Sequence, residues 1–163
     1  MRFVPHTLLS IAQQTSPEVF HANCWGISWG NAVIDELKEL ARRSKLNKAR
    51  LCLHPSPSDL HQEMLIVMTS KAVELPQRRR IGAESAFDTK IALEGRAALR
   101  YYDTNQAVSR TVELDGEHSQ YVHTRSDEFH SLLIQSDWFV YLEILQGPFD
   151  LRTTEVAPWI LER

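Results

Sequence analysis

The chain has 163 residues, enough for one domain with a usable core, and 43% apolar with 24% charged residues excludes wholesale disorder. A net charge of -3 excludes a general polyanion binder, although a local basic patch is compatible with it. No stretch approaches the roughly 20 apolar residues that cross a bilayer, and the opening MRFVPHTLLSIAQQ has too short an apolar run for a signal peptide.

In chain order, residues 1–29 give no clear period. TLLSIAQQ fits a short helix or an extended arm, and FHANCWGISWG mixes aromatics with glycines. Residues 31–44 predict an amphipathic helix, with Val33, Ile34, Leu37, Leu40 and Ala41 on one face, Asn31 as N-cap and Glu39–Arg43 as an i,i+4 pair. Arg42, Arg43 and Lys45 near its end suit the helix dipole, so the basic cluster 42–50 reads as structural. After residue 50 the period falls to two. ARLCLH, HQEMLIVM, ALRYYD, VSRTVEL, SQYVHT, FHSLLIQ and WFVYLEIL read as short strands, separated by the turn compositions PSPSD, DTNQ, DGEH, QSDW and LQGPFD. The expectation is a mainly β antiparallel barrel over residues 51–163, preceded by an arm and helix over residues 1–50. Cys24 and Cys52 match no metal-finger or C-x-x-C spacing, and a reduced cytoplasmic protein is expected.

The blocks RLCLHPSPSDLHQEMLIV, DTKIALEGRAALRYYD and FHSLLIQSDWFVYLEILQGPFDLRTTEVAPW, in that order, resemble the cupin superfamily. More narrowly, they resemble the WbuC-type cupin-fold metalloproteins associated with lipopolysaccharide O-antigen clusters. The likeness covers about residues 17–163. It implies a double-stranded β-helix, a jelly roll whose ligand site lies in the barrel mouth. It also implies a divalent transition metal held by an H-x-H pair, a glutamate and a later histidine. Fe, Mn, Ni or Zn would suit such a set.

The chain departs from that pattern at the metal. Counting forward from Glu63-Met64-Leu65 places the motif proline at Pro76 and the two histidine positions on Gln77 and Arg79. Glu84 or Asp88 takes the glutamate position, and the last histidine is His130. Arginine has no acceptor and stays protonated, so it cannot ligate. The expected site is therefore a metal-poor one, in which Gln77, Arg79, Glu84, His61 and His130 bind a small polar or anionic molecule, sugar-derived in keeping with the resemblance. The alternative use of Arg79 is internal pairing with Glu63, Glu84 or Asp88. Arg78 and Arg80 read as solvated, and Asp127, Glu128 and His130 could supply a carboxylate-supported base.

Two further readings stay open. One is a metal-dependent isomerase, epimerase or dioxygenase with a site rebuilt from His61, Glu63, Asp88 and His130. The other is a non-catalytic assembly protein whose N-terminal arm covers a neighbouring barrel. A homodimer is expected, with no nucleic-acid or membrane partner.

Overall fold

Along β4 (His61–Thr69), Met64, Ile66 and Met68 point to one side and Leu65 and Val67 to the other, and all five are buried. That double burial defines the architecture of the computed structural model, which describes residues 7–80 and 87–161. The inner row joins Cys52, Leu99, Tyr101, Phe139 and Tyr141 in a core inside the barrel. The outer row packs with Val140, Leu51 and Phe20 against the helical segment.

Among the described residues there are ten strands: β1 (Ala12–Ser16), β2 (Val19–Ala22), β3 (Lys48–Cys52), β4, β5 (Gln77–Arg79), β6 (Phe87–Tyr102), β7 (Val108–Asp115), β8 (Tyr121–Arg125), β9 (His130–Gln146) and β10 (Thr154–Val156). They run in the order β1-β2-β3-β4-β9-β5-β10, while β6 pairs with β7, β8 and β9. Only β2–β3 is parallel. The product is a jelly-roll barrel with an N-terminal helical segment, as the strand pattern predicts. β1 and β2, within the arm ahead of α2, are part of the sheet, and β3 runs across residue 50.

The long strands β6 and β9 form the spine, pairing from Asp88↔Leu145 to Tyr101↔His130. QSDW, expected as a turn, lies inside β9, so that expectation is corrected. A bend replaces the turn. The pairing shifts at Ala92/Glu94 and Gly95/Ala97, Gly95 adopts φ 79°, and the Ser136 hydroxyl accepts from the Arg96 amide at 2.8 Å. Both strands therefore turn the barrel corner while remaining paired.

Helix α1 (Leu8–Ile11) precedes β1, so TLLSIAQQ is helix and then strand. Helix α2 spans Asn31–Arg43 and buries Val33, Leu37 and Ala41, the row expected of a 3.6-residue period. Its N-cap is Gly30 rather than Asn31: the Gly30 carbonyl accepts from Val33 and Ile34, and Asn31 is already helical. Lys38 and Arg42 of α2 lie over the Trp138 ring at 5.8 and 5.2 Å. After a 3-10 turn (Leu151–Thr153), the described residues end in α3 (Pro158–Leu161), where Trp159 packs edge-on against Phe129 at 4.9 Å and holds this segment onto the barrel. Among the described residues no helix is long and apolar enough to cross a membrane.

Candidate functional site

Inward-facing positions of β2, β3, β4, β5, β6 and β9 enclose a cavity of about 590 Å³. Part of its apolar lining comes from β4, through Met64, Ile66 and Met68. In sheet order β4 separates two polar walls.

The first wall is built on β5, β6 and β9. Gln77 lies opposite His130 in the ladder, and Tyr101 flanks His130 on β6. Asp88 and Lys90 are i,i+2 neighbours on the inner face of β6, and Lys90 is directly opposite Glu143 of β9. The Lys90 ammonium donates to Glu143 Oε1 at 2.8 Å and to Asp88 Oδ2, and is almost fully buried. His130 lies 3.9 Å from Asp88 through Nε2, while its Nδ1 is 2.8 Å from the Glu128 carbonyl. A bond of that kind makes Nδ1 the donor and leaves Nε2 unprotonated toward Asp88. Glu74, from the loop before β5, accepts from the Leu132 amide at 2.9 Å.

Burial governs the protonation of this cluster. It raises Asp88 to about 6, with Lys90 pulling the other way. It raises Glu74 as well, against the attraction of Lys90. Burial would also raise Glu143, but Lys90 holds it below the ordinary carboxylate value. Lys90 is raised: its two carboxylate partners outweigh the cost of burying it. His130 is lowered by burial and by Lys90, and is therefore neutral at pH 7.

Arg79 is 6% exposed on this wall. It donates through Nη2 to the Pro148 carbonyl at 3.0 Å and lies 5.9 Å from the Phe149 ring. Its Nη1 has no partner among the described residues; neither have Asp88 Oδ1 and Arg50 Nε.

The second wall is built on β2 and β3. Lys48, Arg50, Cys52 and His54 alternate onto the inner side, and His21 of β2 lies opposite Cys52. His21 and His54 meet edge-on at 5.7 Å. Burial pushes the Cys52 thiol up to about 11 and lowers both imidazoles.

The structure thus brings Gln77, Arg79, Asp88 and His130 together on one wall. It does not bring His61 and Glu63 to them: these pair with each other at 3.1 Å at the exposed start of β4 and do not line the cavity. Glu84 lies outside the described residues. Asp127 and Glu128 do not support His130 through their carboxylates, since Asp127 pairs with Arg125 at 2.7 Å and Glu128 with Arg110 at 2.9 Å. Arg78 pairs with Glu155 at 2.7 Å and covers the Phe129 ring at 4.2 Å, so it is less solvated than a strand-end position suggests. The sequence reading missed Glu74, Lys90 and Glu143 on the first wall and Arg50, Cys52, His54 and His21 on the second. Strict alternation from Asp88 points to Lys90, and from Cys52 to Arg50 and His54; Glu74, Glu143 and His21 come from other elements.

No protein-family model matches the chain, and no curated protein matches it in sequence. Solved structures do share its fold. The capsular polysaccharide assembling protein CapF from Staphylococcus aureus is similar with a TM-score of 0.57 at 11% identity, over 69% of this chain and 32% of that one. Protein SO0799 from Shewanella oneidensis is similar with a TM-score of 0.50 at 9% identity, over 64% and 66% of the two chains. A cupin superfamily protein from Desulfitobacterium hafniense reaches 0.47 at 15% identity, over 68% and 86%. This chain thus spans about a third of CapF's length. What is shared is the fold, a jelly-roll barrel.

Proposed function

We propose that the barrel binds a small anionic molecule bearing hydroxyl groups, a sugar-derived carboxylate or phosphate, with Arg79 and Arg50 contacting the anion and Gln77 and His130 its polar groups. The observation that carries this reading is the set of unpartnered buried atoms. Arg50 Nε, Arg79 Nη1 and Asp88 Oδ1 all belong to residues lining the one cavity, and two of them are guanidinium nitrogens. An orphaned buried donor costs about 1–3 kcal/mol, which a ligand oxygen would relieve. A planar fork suits carboxylate and phosphate geometry.

The divalent metal implied by the cupin resemblance does not fit the first wall. Gln77 and Arg79 supply no imidazole there, and the Lys90 ammonium already holds Asp88 and Glu143. A dication about 4 Å from that ammonium would be repelled by roughly 8 kcal/mol at an effective dielectric of about 20. Lys90 acts as a tethered cation in the metal's place. The WbuC-type likeness, and a CapF barrel whose name concerns capsular polysaccharide, agree with a sugar-derived ligand.

Calorimetric titration with phosphate, glucuronate and glucose tests the proposal. The two anions should bind and glucose should not. Arg79→Gln and Arg50→Gln should each weaken glucuronate by about 10–100-fold, the equivalent of one charge-assisted bond. Glucose binding as well as glucuronate, or both variants binding like the parent, would end it.

A further inference from the structure

The second wall carries a feature that anion binding does not use. We infer that His21, Cys52 and His54 form a binding site for a thiophilic transition ion, Cu(I) ahead of Zn(II). One ligand atom from each residue lies within 4.8 Å of the others. The backbone arranges this directly. β2 and β3 run parallel with His21 opposite Cys52, at the usual strand spacing of about 4.8 Å. His54 follows two residues after Cys52, so the Cys-x-His alternation brings both side chains to the inner face.

Both rings are held by neighbouring groups. His54 Nδ1 lies 3.0 Å from the Glu63 carbonyl and 3.1 Å from the Glu63 amide, and His21 Nδ1 lies 3.0 Å from the Thr15 hydroxyl. When a ring nitrogen is held as donor to such a partner the other nitrogen is free to coordinate, the support that metal-binding histidines ordinarily have. Around a bound ion the ligand atoms would stand roughly 3.3–3.8 Å apart, so side-chain shifts of about 1 Å complete the site. Binding would expel the thiol proton to solvent.

The choice of ion follows from the surroundings. Two imidazoles with a thiolate suit copper or zinc and not the hard cations. Met64 lies opposite Cys52 on β4 and also lines the cavity, offering a thioether as a fourth, soft donor. Arg50 and Lys48 share the face with Cys52, and a second positive charge there is better carried once than twice. A monovalent ion neutralised by the thiolate meets both conditions. The site is separated from Asp88, Lys90 and His130 by β4, and Cys24, the other free cysteine, is exposed elsewhere.

Full-length, tag-free protein stripped of metal should take up one Cu(I) per chain in competition with bicinchoninate, and Co(II) should give a thiolate charge-transfer band in the near ultraviolet. Cys52→Ser should abolish the band, and both it and His54→Gln should weaken Cu(I) by about tenfold or more. His130→Ala should change neither. Glucuronate binding provides a control, since it depends on the arginines and should survive Cys52→Ser. If the Cys52 variant does not fold, His21→Gln at a half-buried position decides. Copper affinity unchanged in these variants overturns the inference, and so does loss of the ion in His130→Ala alone, which would assign it to the first wall.

Discussion

Replacing Lys90 with methionine keeps the length of the side chain and removes its charge. Glu143 Oε1 lies 2.8 Å from the ammonium, worth roughly 6 kcal/mol at an effective dielectric of about 20, and Asp88 contributes a comparable attraction. Most of that sum is offset by the several kcal/mol needed to dehydrate the ammonium. Deleting one member of a buried cluster leaves its partners uncompensated, so the net loss should be about 3–5 kcal/mol. Two carboxylates without a counter-ion would then take up protons in the folded state. Folded pKa values above unfolded ones mean that stability is recovered at low pH and lost as pH rises. Each extra proton bound recovers about 2.7 kcal/mol over two pH units. Urea denaturation of parent and Lys90→Met at pH 7 and pH 5 should show a large deficit at the first and a smaller one at the second. The triple variant Asp88→Asn/Lys90→Met/Glu143→Gln should regain much of the loss at both. A deficit under about 0.5 kcal/mol at pH 7, or one that does not shrink on acidification, would refute the tethered-cation reasoning.

Three other outcomes are expected. Asp88 has a folded pKa of about 6 against an unfolded value near 3.8, so its contribution is full below pH 4 and lost as pH rises to 6; Asp88→Asn should flatten the denaturation profile across that window by roughly 3 kcal/mol. Leu37→Ala empties a fully buried position between α2 and the sheet and should cost about 2–5 kcal/mol by chemical denaturation. Gly95→Ala would drive a Cβ into the Trp138 carbonyl oxygen at a positive φ, so the melting temperature should fall steeply, whereas Gly30→Ala, with open space around it, should shift it little.

The strands and α2 were legible because a period of two and a period of 3.6 each left a long apolar row. QSDW was not, because turn residues inside a bent strand look like turn residues between strands, and only the Gly95 bulge opposite reveals the bend. Lys90 was hidden for a deeper reason. In FDTKIAL the face of Thr89, Ile91 and Leu93 is the more apolar, and ordinary alternation would bury it. Here Asp88, Lys90 and Ala92 are the buried row, while Leu93 is 36% exposed. A barrel that encloses a polar cavity reverses the usual meaning of the pattern. The same reversal applies to Arg50, which the sequence groups with the end of α2 and the structure turns into the cavity.

That reversal also bears on the two uses of Arg79 that the sequence leaves open, an external anion or an internal carboxylate. The carboxylates of the first wall, and Glu63, each have another partner among the described residues, although Asp88 Oδ1 keeps none. Asp88 and Glu143 hold Lys90, Glu74 accepts from the Leu132 amide, and Glu63 is occupied by His61 outside the cavity. Arg79 makes no ion pair with any of them, and its bonds go to a neutral carbonyl and toward a hydroxyl. Lys90 takes both carboxylates because it stands beside Asp88 on β6 and directly opposite Glu143 on β9, where a compact ammonium reaches each of them. Among the described residues Arg79 is thus left without an ion pair, with Glu143 and Asp88 acting on it only at longer range. A buried positive charge with a spare donor beside an accessible cavity lowers its energy by drawing an anion in, and this links the ion pair of Lys90 to the ligand proposed for Arg79.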